Sequence, residues 1–398
     1  MVVRPTVLVV DNGTGFCKAG FAGDAFPRSF PCMVGRPLQG AGSSCLPDGA
    51  EPKDVYVGAE AAAHKQRLDI SYPISNGVVE NWEDMGLVWD HCFSNVLGVD
   101  PSQGGCYIML TEPPLNPKAN RQRMFENMFE KYGFEAAYVQ VQAVLTLYSL
   151  GALTGLVLDS GDGVTHAVPV VDGYSSQHLT GRLNVAGRHI TAYLADLLTR
   201  RGYSFNRSAD FDTVRQIKER LCFMAYDLEQ EIKLVRDTTC TTESYTLPDG
   251  RTITIGPERF TAPEALINPS LLGVEAPGMA EMVHNCIQNG DIHNRLLLYS
   301  NIVLSGGTTM FPGIASRLEK ELRSLYLDRV LKGDREGLRR LKLRLEDPPR
   351  RRHMVFTGAA VLAECMQDQP QFWVSRAEWA EDPHRALAKC GGLGSEQR

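Results

Sequence analysis

Ten cysteines lie scattered between Cys17 and Cys390, yet no two of them form a C-x-x-C pair, and the nine histidines contain no H-E-x-x-H. Neither a disulfide framework nor a zinc site is therefore expected. No G-x-x-x-x-G-K-[ST] occurs, which excludes a P-loop, and no G-x-G-x-x-G follows a strand pattern to suggest a dinucleotide fold. Long apolar runs are also missing. The longest, Ala143 to Leu158, is broken by Ser149, Gly151, Thr154 and Gly155 and reads as helix, turn and strand rather than a membrane span. Residues 1–5 lead straight into a strand pattern with no charged-then-apolar leader, so a cytosolic protein is expected. A formal net charge of -6 gives no overall basic field to attract nucleic acid or an anionic membrane face.

What the chain does have is length and glycine in particular places. At 398 residues, with 43% apolar and 22% charged, it reads as a soluble globular protein with room for two domains of ordinary size. "TVLVVDNGTGFCKAGFAG" (residues 6–23) begins as a buried strand and breaks at Gly13 and Gly15, with Asp11 at the strand's end and Lys18 just beyond. "LTGLVLDSGDGVTHAVPVVDG" (153–173) repeats that grammar with Asp159, Gly161 and Gly163, 148 residues later. Such a distance suits a duplicated α/β domain, not a solenoid period. Backbone amides can converge on a phosphate only where no Cβ blocks the approach, so glycine is the residue such a hairpin needs. An aspartate there would be repelled by phosphate; its natural partner is a hydrated divalent cation such as magnesium. A single D-x-G-x-G turn is also what an ordinary hairpin contains, and the repetition is what favours the phosphate reading. A third glycine turn sits in "NIVLSGGTTMFPGIASRLEKELRSLYLDRVL" (301–331), where Pro312 predicts a helix start and Leu318, Leu322, Leu325 and Leu331 an apolar face.

"DNGTGFCKAGFAGDAFPRSFPCMVGRP", "VQAVLTLYSLGALTGLVLDSGDGVTH" and "IVLSGGTTMFPG" resemble the two phosphate segments, the connecting segment and the adenosine segment of the actin family, and the likeness runs nearly end to end. It implies a duplicated actin-like ATPase fold with ribonuclease H-like halves, a nucleotide cleft between two domains, and ATP with Mg2+ as cofactors. The implied first domain covers 1–32, 72–150 and 347–398, with a small subdomain inserted at 33–71; the second covers 151–186 and 276–346, with an insertion at 187–275. Asp11 and Asp159 would hold magnesium through waters, Lys18 would reach the phosphates, and the backbone of Gly13, Thr14, Gly15, Gly161, Asp162 and Gly163 would clasp them. Gln142 and His166 would orient the attacking water. Arg215, Lys218, Glu219, Gly306, Gly307, Thr308, Met310, Phe311 and Arg352 would border the nucleoside. Taken alone, Gln142 reads as a structural hydrogen-bonding residue, His166 as a core histidine, and Lys218 and Glu219 as a solvated helix face; the resemblance is what raises them together.

The chain departs from the family pattern at Phe311 and Arg352, where conventional actin has tyrosine and lysine, and at Asn184 and His189, where the family tends to place aspartates. "LTEPPLNPKANRQRMFENMFE", "RGYSFNRSADFDTVRQIKERLC" and above all "LYLDRVLKGDREGLRRLKLRLEDPPRRRHMVF", longer than its counterpart in conventional actin, resemble the actin-related members that serve a branched-filament nucleating complex. Neither Gln142 nor His166 belongs to an obvious activated base pair, so water positioning and at most a slow ATPase are expected, with ATP used as a conformational switch because both halves would contact the triphosphate. The partners that the narrower resemblance implies are a second actin-related protein, further complex subunits, actin monomers and filaments, and acidic activators, in the cytoplasm, cytoskeleton and cell projections.

Two surface segments stand out. Residues 39–54 predict a flexible polar loop. The run from Lys332 to Arg352 gathers nine Lys or Arg, which reads either as a solvated basic helix or as a docking surface for another subunit or an acidic activator. Two other readings stay open: a conventional filament-forming actin, and an actin-fold sugar kinase or chaperone-type ATPase.

Overall fold

The apolar stretch Thr6–Asn12 is buried along almost its whole length, which requires a strand covered on both faces. In the computed structural model, which describes residues 4–38, 53–205 and 210–390, it is β1 of a six-stranded sheet. The elements that position the site are, in chain order, β1 (Thr6–Asn12), β2 (Phe16–Phe21), β3 (Arg28–Pro31), α1 (Trp82–His91), β4 (Cys106–Glu112), β5 (Ala136–Val141), α2 (Gln142–Tyr148), β6 (Gly155–Ser160), β7 (Thr165–Val171), β8 (Gly181–Leu183), α3 (Gly187–Arg200), α4 (Asp210–Leu221), α5 (Glu258–Glu264), α6 (Met279–Asn289), β9 (Ile302–Ser305), α7 (Ile314–Leu325), α8 (Arg335–Arg340), β10 (Leu345–Glu346), α9 (Met354–Met366) and β11 (Val374–Ser375). The loop predicted over 39–54 lies, except for Lys53 and Asp54, outside the described residues.

The chain forms two units. The first comprises Met1–Thr154, Val170–His178 and His353–Arg398, and the second Gly155–Pro169 and Leu179–Arg352. In the first, the sheet order is β11-β5-β4-β1-β2-β3. β1, β4 and β5 run parallel, with Val10 opposite Leu110 and Val139 opposite Leu110 from the other side, whereas β2, β3 and β11 are antiparallel to their neighbours. Alternate residues of β1 serve different cores: Leu8 and Val10 pack with Trp89, Phe93 and Phe129, while Val7 and Val9 pack with Met109, Phe356 and Trp373. Glycine allows α9 to lie on α2, because a Cβ on Gly358 would stand 1.8 Å from the Leu145 carbonyl oxygen.

The second unit repeats the plan with β7-β6-β9-β10, β8 pairing with β7. β6 and β9 are parallel, as are β9 and β10. Its core joins Leu156 and Leu158 of β6 to Ile190 and Leu194 of α3, Val214 and Ile217 of α4, Val283 and Ile287 of α6, and Leu318 and Leu322 of α7. A mixed α/β architecture in two units, each a sheet with helices, is what the sequence led us to expect.

One buried ion pair ties α7 to α5. Arg317 donates to both carboxylate oxygens of Glu264 (3.0 and 2.8 Å), to the Ala225 carbonyl (2.8 Å) and to Glu321 (2.8 Å), and neither member of the Arg317–Glu264 pair is more than 8% exposed. Removing one partner leaves the other charge buried without compensation. Glu264→Ala should cost about 3 kcal/mol in chemical denaturation, and Glu264→Leu with Arg317→Met should recover most of it.

Candidate functional site

Three parallel strands of the first sheet end together, and ligands in open α/β sheets bind beyond such carboxyl ends. Asp11 lies near the end of β1, Thr111 near the end of β4, and Gln142 opens α2 directly after β5. Their side chains converge. Thr111 Oγ1 donates to Asp11 Oδ1 at 2.6 Å, Gln142 Nε2 donates to the same oxygen at 3.2 Å, and Lys18 Nζ donates to Oδ2 at 2.7 Å. The β1–β2 register explains the last contact, since Asp11 stands directly opposite Lys18. Asp11 is only 2% exposed, so this carboxylate is held by a cation and two polar donors in one fixed orientation.

The turn between β1 and β2 brings the backbone close to itself. A Cβ on Gly13 would meet the Phe16 carbonyl oxygen at 2.6 Å, so glycine alone fits. The Gly15 carbonyl accepts from Cys32 N at 3.0 Å, and the buried Thr14 hydroxyl accepts from Gly77 N at 3.1 Å. Trp89 Nε1 donates to Asn12 Oδ1 at 3.2 Å, while Asn12 Nδ2, also buried, finds no hydrogen-bond acceptor among the described residues.

In the second unit the hairpin between β6 and β7 closes through Gly161 N and the Val164 carbonyl at 3.1 Å. Asp159 sits near the end of β6, opposite Ser305 of β9, and is partly exposed. Three segments meet at the Gly161 carbonyl, which accepts from Gly187 N at the start of α3 (3.1 Å) and from Thr308 Oγ1 (2.6 Å). Asp162 accepts from Arg188 Nε at 3.2 Å. From α4, Lys218 is 6% exposed and donates to the Gly187 carbonyl at 2.8 Å, its only hydrogen bond among the described residues; burial pulls its pKa down, and the nearby Asp162 carboxylate opposes that. An ammonium carries three donors, so Lys218 has capacity left for an anion. A Cβ on Gly187 would come within 2.7 Å of Thr308 Oγ1 and 3.4 Å of Lys218 Nζ.

The third glycine turn follows β9. Gly306 takes φ +89°, Gly307–Met310 make one tight turn, Phe311 is buried and Met310 exposed. Here the structure departs from the expected helix start. α7 begins at Ile314 after Gly313, whose φ of +85° stops the helix from extending back to Pro312. The helix ends at Leu325, and a wider turn over Tyr326–Val330 carries the chain to Leu331.

The remaining predicted residues are spread more widely. Arg215 pairs along α4 with Asp212 and Glu219, each at 3.5 Å, and Glu219 is exposed. Arg352 is exposed; its neighbour Arg351 is buried and donates through Nη2 to the Thr309 carbonyl at 2.7 Å, fixing the third turn. Asn184 is exposed and accepts from Arg182 Nε at 3.0 Å, and His189 Nδ1 accepts from Ala186 N at 3.3 Å. Thr111, Gly187 and Arg351 were not singled out from sequence. Thr111 carries a weak local signal, a polar residue where an apolar strand meets "EPP", and Gly187 a stronger one, a lone glycine at a strand-to-helix junction.

His166 lies on β7 opposite Arg182 of β8, is 2% exposed, and its Nε2 has no partner among the described residues. Burial first, and the charge of Arg182 second, push its pKa down from 6.5 to about 3. The ring is therefore neutral at physiological pH. An unfolded chain takes up this proton near pH 6.5 and the folded chain only near 3, so the contribution is complete above 6.5 and is lost as acid carries the pH from 6.5 toward 3. The slope is about 1.4 kcal/mol per pH unit for one such group. His166→Gln should flatten the fall in the urea midpoint between pH 7 and 4 relative to the parent; equal slopes would show that His166 titrates normally.

In the first unit, the held Asp11 carboxylate, the unpartnered Asn12 amide and a turn only glycine can make suit a phosphate and a hydrated cation. In the second, taken by itself, Lys218 with spare donors beside the Gly161 turn suits a phosphate. Each set fits the chemistry of ATP with magnesium.

The match to known proteins agrees with this chemistry. The Actin family model covers residues 3–390. The chain is 59% identical over 386 residues to actin-related protein 2 of Oryza sativa subsp. japonica, covering 97% of this chain and 98% of that protein. It is 58% identical over 384 residues to actin-related protein 2 of Arabidopsis thaliana (96% and 98%), and 56% identical over 385 residues to that of Acanthamoeba castellanii (96% and 98%). A family match over almost the whole length, with relatives this similar from end to end, means that the chain belongs to the actin family.

Proposed function

We propose that this chain is an ATP-binding actin-related subunit that nucleates branched actin filaments, pairing with actin-related protein 3 inside a multiprotein complex to imitate a filament end. Its further partners are the other subunits, actin monomers and filaments, and acidic activators, in the cytoplasm, cytoskeleton and cell projections. The observation that carries the nucleotide part is the Asp11 carboxylate, held by Lys18, Thr111 and Gln142 beyond three parallel strand ends; the likeness to proteins named actin-related protein 2 carries the rest.

Asp11 and Asp159 would hold the hydrated magnesium, and Lys18 the phosphates. The backbone around Gly13, Thr14, Gly15, Gly161, Asp162 and Gly163 would clasp those phosphates. Lys218, Arg215, Glu219, Gly306, Gly307, Thr308, Met310, Phe311 and Arg352 would border the nucleoside. Magnesium, when bound, would neutralise the charge that spreads over the γ-phosphate. The protein's own task is then positioning. Gln142 is fixed by its bond to Asp11 Oδ1 and a second to Thr111 Oγ1 at 3.3 Å, which would let its amide oxygen orient a water. His166, neutral and buried, would orient water without acting as a strong base, and slow hydrolysis follows. A ligand contacted differently before and after loss of its γ-phosphate shifts a conformational equilibrium by that difference, so ATP would serve as a switch.

The test is native purification of the chain with its companions, identification of those by mass spectrometry, and microscopy of actin assembly. Branches that form only with the assembly and with ATP are the expected result. Filaments formed by the purified chain alone on adding Mg-ATP would instead establish a conventional actin, and hexose phosphorylation a kinase.

A further inference from the structure

The second sheet ends on β10, which pairs with β9 on one side. Arg344 N donates to the Tyr299 carbonyl at 3.1 Å and the Arg344 carbonyl accepts from Ile302 N at 3.1 Å, so both backbone groups of Arg344 face inward. In extended chain the next groups on either side face the opposite way. Those of Leu343 and Leu345 therefore point off the sheet, and neither finds a partner among the described residues. Side chains alternate as well. Leu341, Leu343 and Leu345 pack against the second unit's core, whereas Arg340, Lys342 and Arg344 are exposed. Arg344 is paired with Glu346, but Arg339, Arg340 and Lys342 make no ion pair among the described residues.

We propose that this edge takes up an extended acidic segment of a partner protein as an added strand, with carboxylates alternating with apolar residues. Proteins usually protect an open edge with bulges, prolines or a covering element. Here the prolines, Pro348 and Pro349, come only after β10, and what guards the edge is a row of positive charge. The same row that repels a basic strand selects an acidic one, since opposite charges directly across a strand pair attract and like charges destabilise. Main-chain bonds to Leu343 and Leu345 would supply affinity, and the outward cations would set the choice of sequence. A flat anionic membrane would engage the cations but leave the outward backbone groups unused, which is why a peptide is the better occupant. The inference narrows the acidic-partner part of the proposed function to one sheet edge and is independent of the nucleotide reading.

The test is fluorescence anisotropy with the full-length chain and a short labelled peptide of alternating Glu and Val. Parallel measurements would use the same peptide N-methylated on one or the other set of alternate amides, a polyglutamate peptide, and phosphatidylserine vesicles. The expected result is that the parent peptide binds and that methylating one set weakens binding about tenfold or more while methylating the other set changes little. Lys342→Glu with Arg344→Glu should weaken the parent peptide about tenfold while leaving the circular dichroism spectrum unchanged. Equal binding of the parent and both methylated peptides, or preference for polyglutamate or vesicles, would overturn the added strand while leaving a basic acidic-partner surface in place. Failure of every anionic peptide to bind would overturn both.

Discussion

Asp11→Asn should lower the affinity for Mg-ATP about hundredfold while leaving the chain folded. Asparagine keeps an acceptor for the Thr111 hydroxyl and the Gln142 amide, which now bond Asp11 Oδ1 at 2.6 and 3.2 Å, so local packing is preserved. What it removes is the negative charge, and that charge does two things. It compensates Lys18, whose Nζ lies 2.7 Å from Oδ2, and it is the group proposed to attract the hydrated cation. Loss of an anchoring group of this kind costs roughly ten- to a hundredfold in metal affinity, and the misplacement of Lys18 adds to it. Displacement of a fluorescent ATP analogue in excess magnesium measures the loss. Thermal unfolding with and without nucleotide gives a second reading, because a ligand that binds only the folded chain raises its melting temperature in proportion to RT ln(1 + [L]/Kd). The parent should be stabilised and the variant should not. Unchanged affinity in both Asp11→Asn and Asp159→Asn would remove the two hairpins from the site.

Gly306→Val should prevent the second unit from folding. Gly306 holds φ +89°, a region that β-branched residues avoid. Space is lacking too: a Cβ there would lie 2.2 Å from the Ser160 carbonyl oxygen and 2.6 Å from the carbonyl carbon, on the neighbouring strand β6. Backbone at that distance cannot swing aside as a flexible side chain can. Strain and overlap together should cost about 5 kcal/mol, a large part of the stability of an ordinary domain. Circular dichroism and gel filtration of the expressed variant would check it, and a soluble variant with parental melting would refute the turn geometry. Gly307→Ala is the control, since nothing stands within 4 Å of a Cβ there.

The parts of this molecule that could be read from sequence are those whose causes are local. β1 announced itself by the unbroken apolar run Val7–Val10, the hairpin glycines by spacing, and Lys18 faces Asp11 because a short hairpin sets that register. Thr111 could not be found that way. It reaches Asp11 only because β4 lies parallel beside β1, a pairing set by the whole first unit's core and by nothing near residue 111. Arg351 was hidden by its neighbours. In "PPRRRH" the three arginines look alike, and only the tight turn at Arg351–His353 decides that the middle one is buried on Thr309. Pro312 misplaced the start of α7 because its missing amide suits a first helical turn, while the deciding residue was Gly313, free to take the left-handed conformation one position later. The basic run over 332–352 showed its charge in the sequence but not its geometry, since β10 spans two residues and its pairing partner lies 43 positions upstream.

The first unit is assembled from both ends of the chain. Its central strand β1 is covered on one face by Phe356 and other residues of α9, and β11 closes the far edge of its sheet by pairing with β5. During synthesis, then, the ribosome must deliver the chain as far as β11 before this half can close, whereas everything the other half needs has emerged by Arg352. While the intervening residues up to Arg352 are made, the amino-terminal strands have one greasy side uncovered, and a cellular escort would have something to hold.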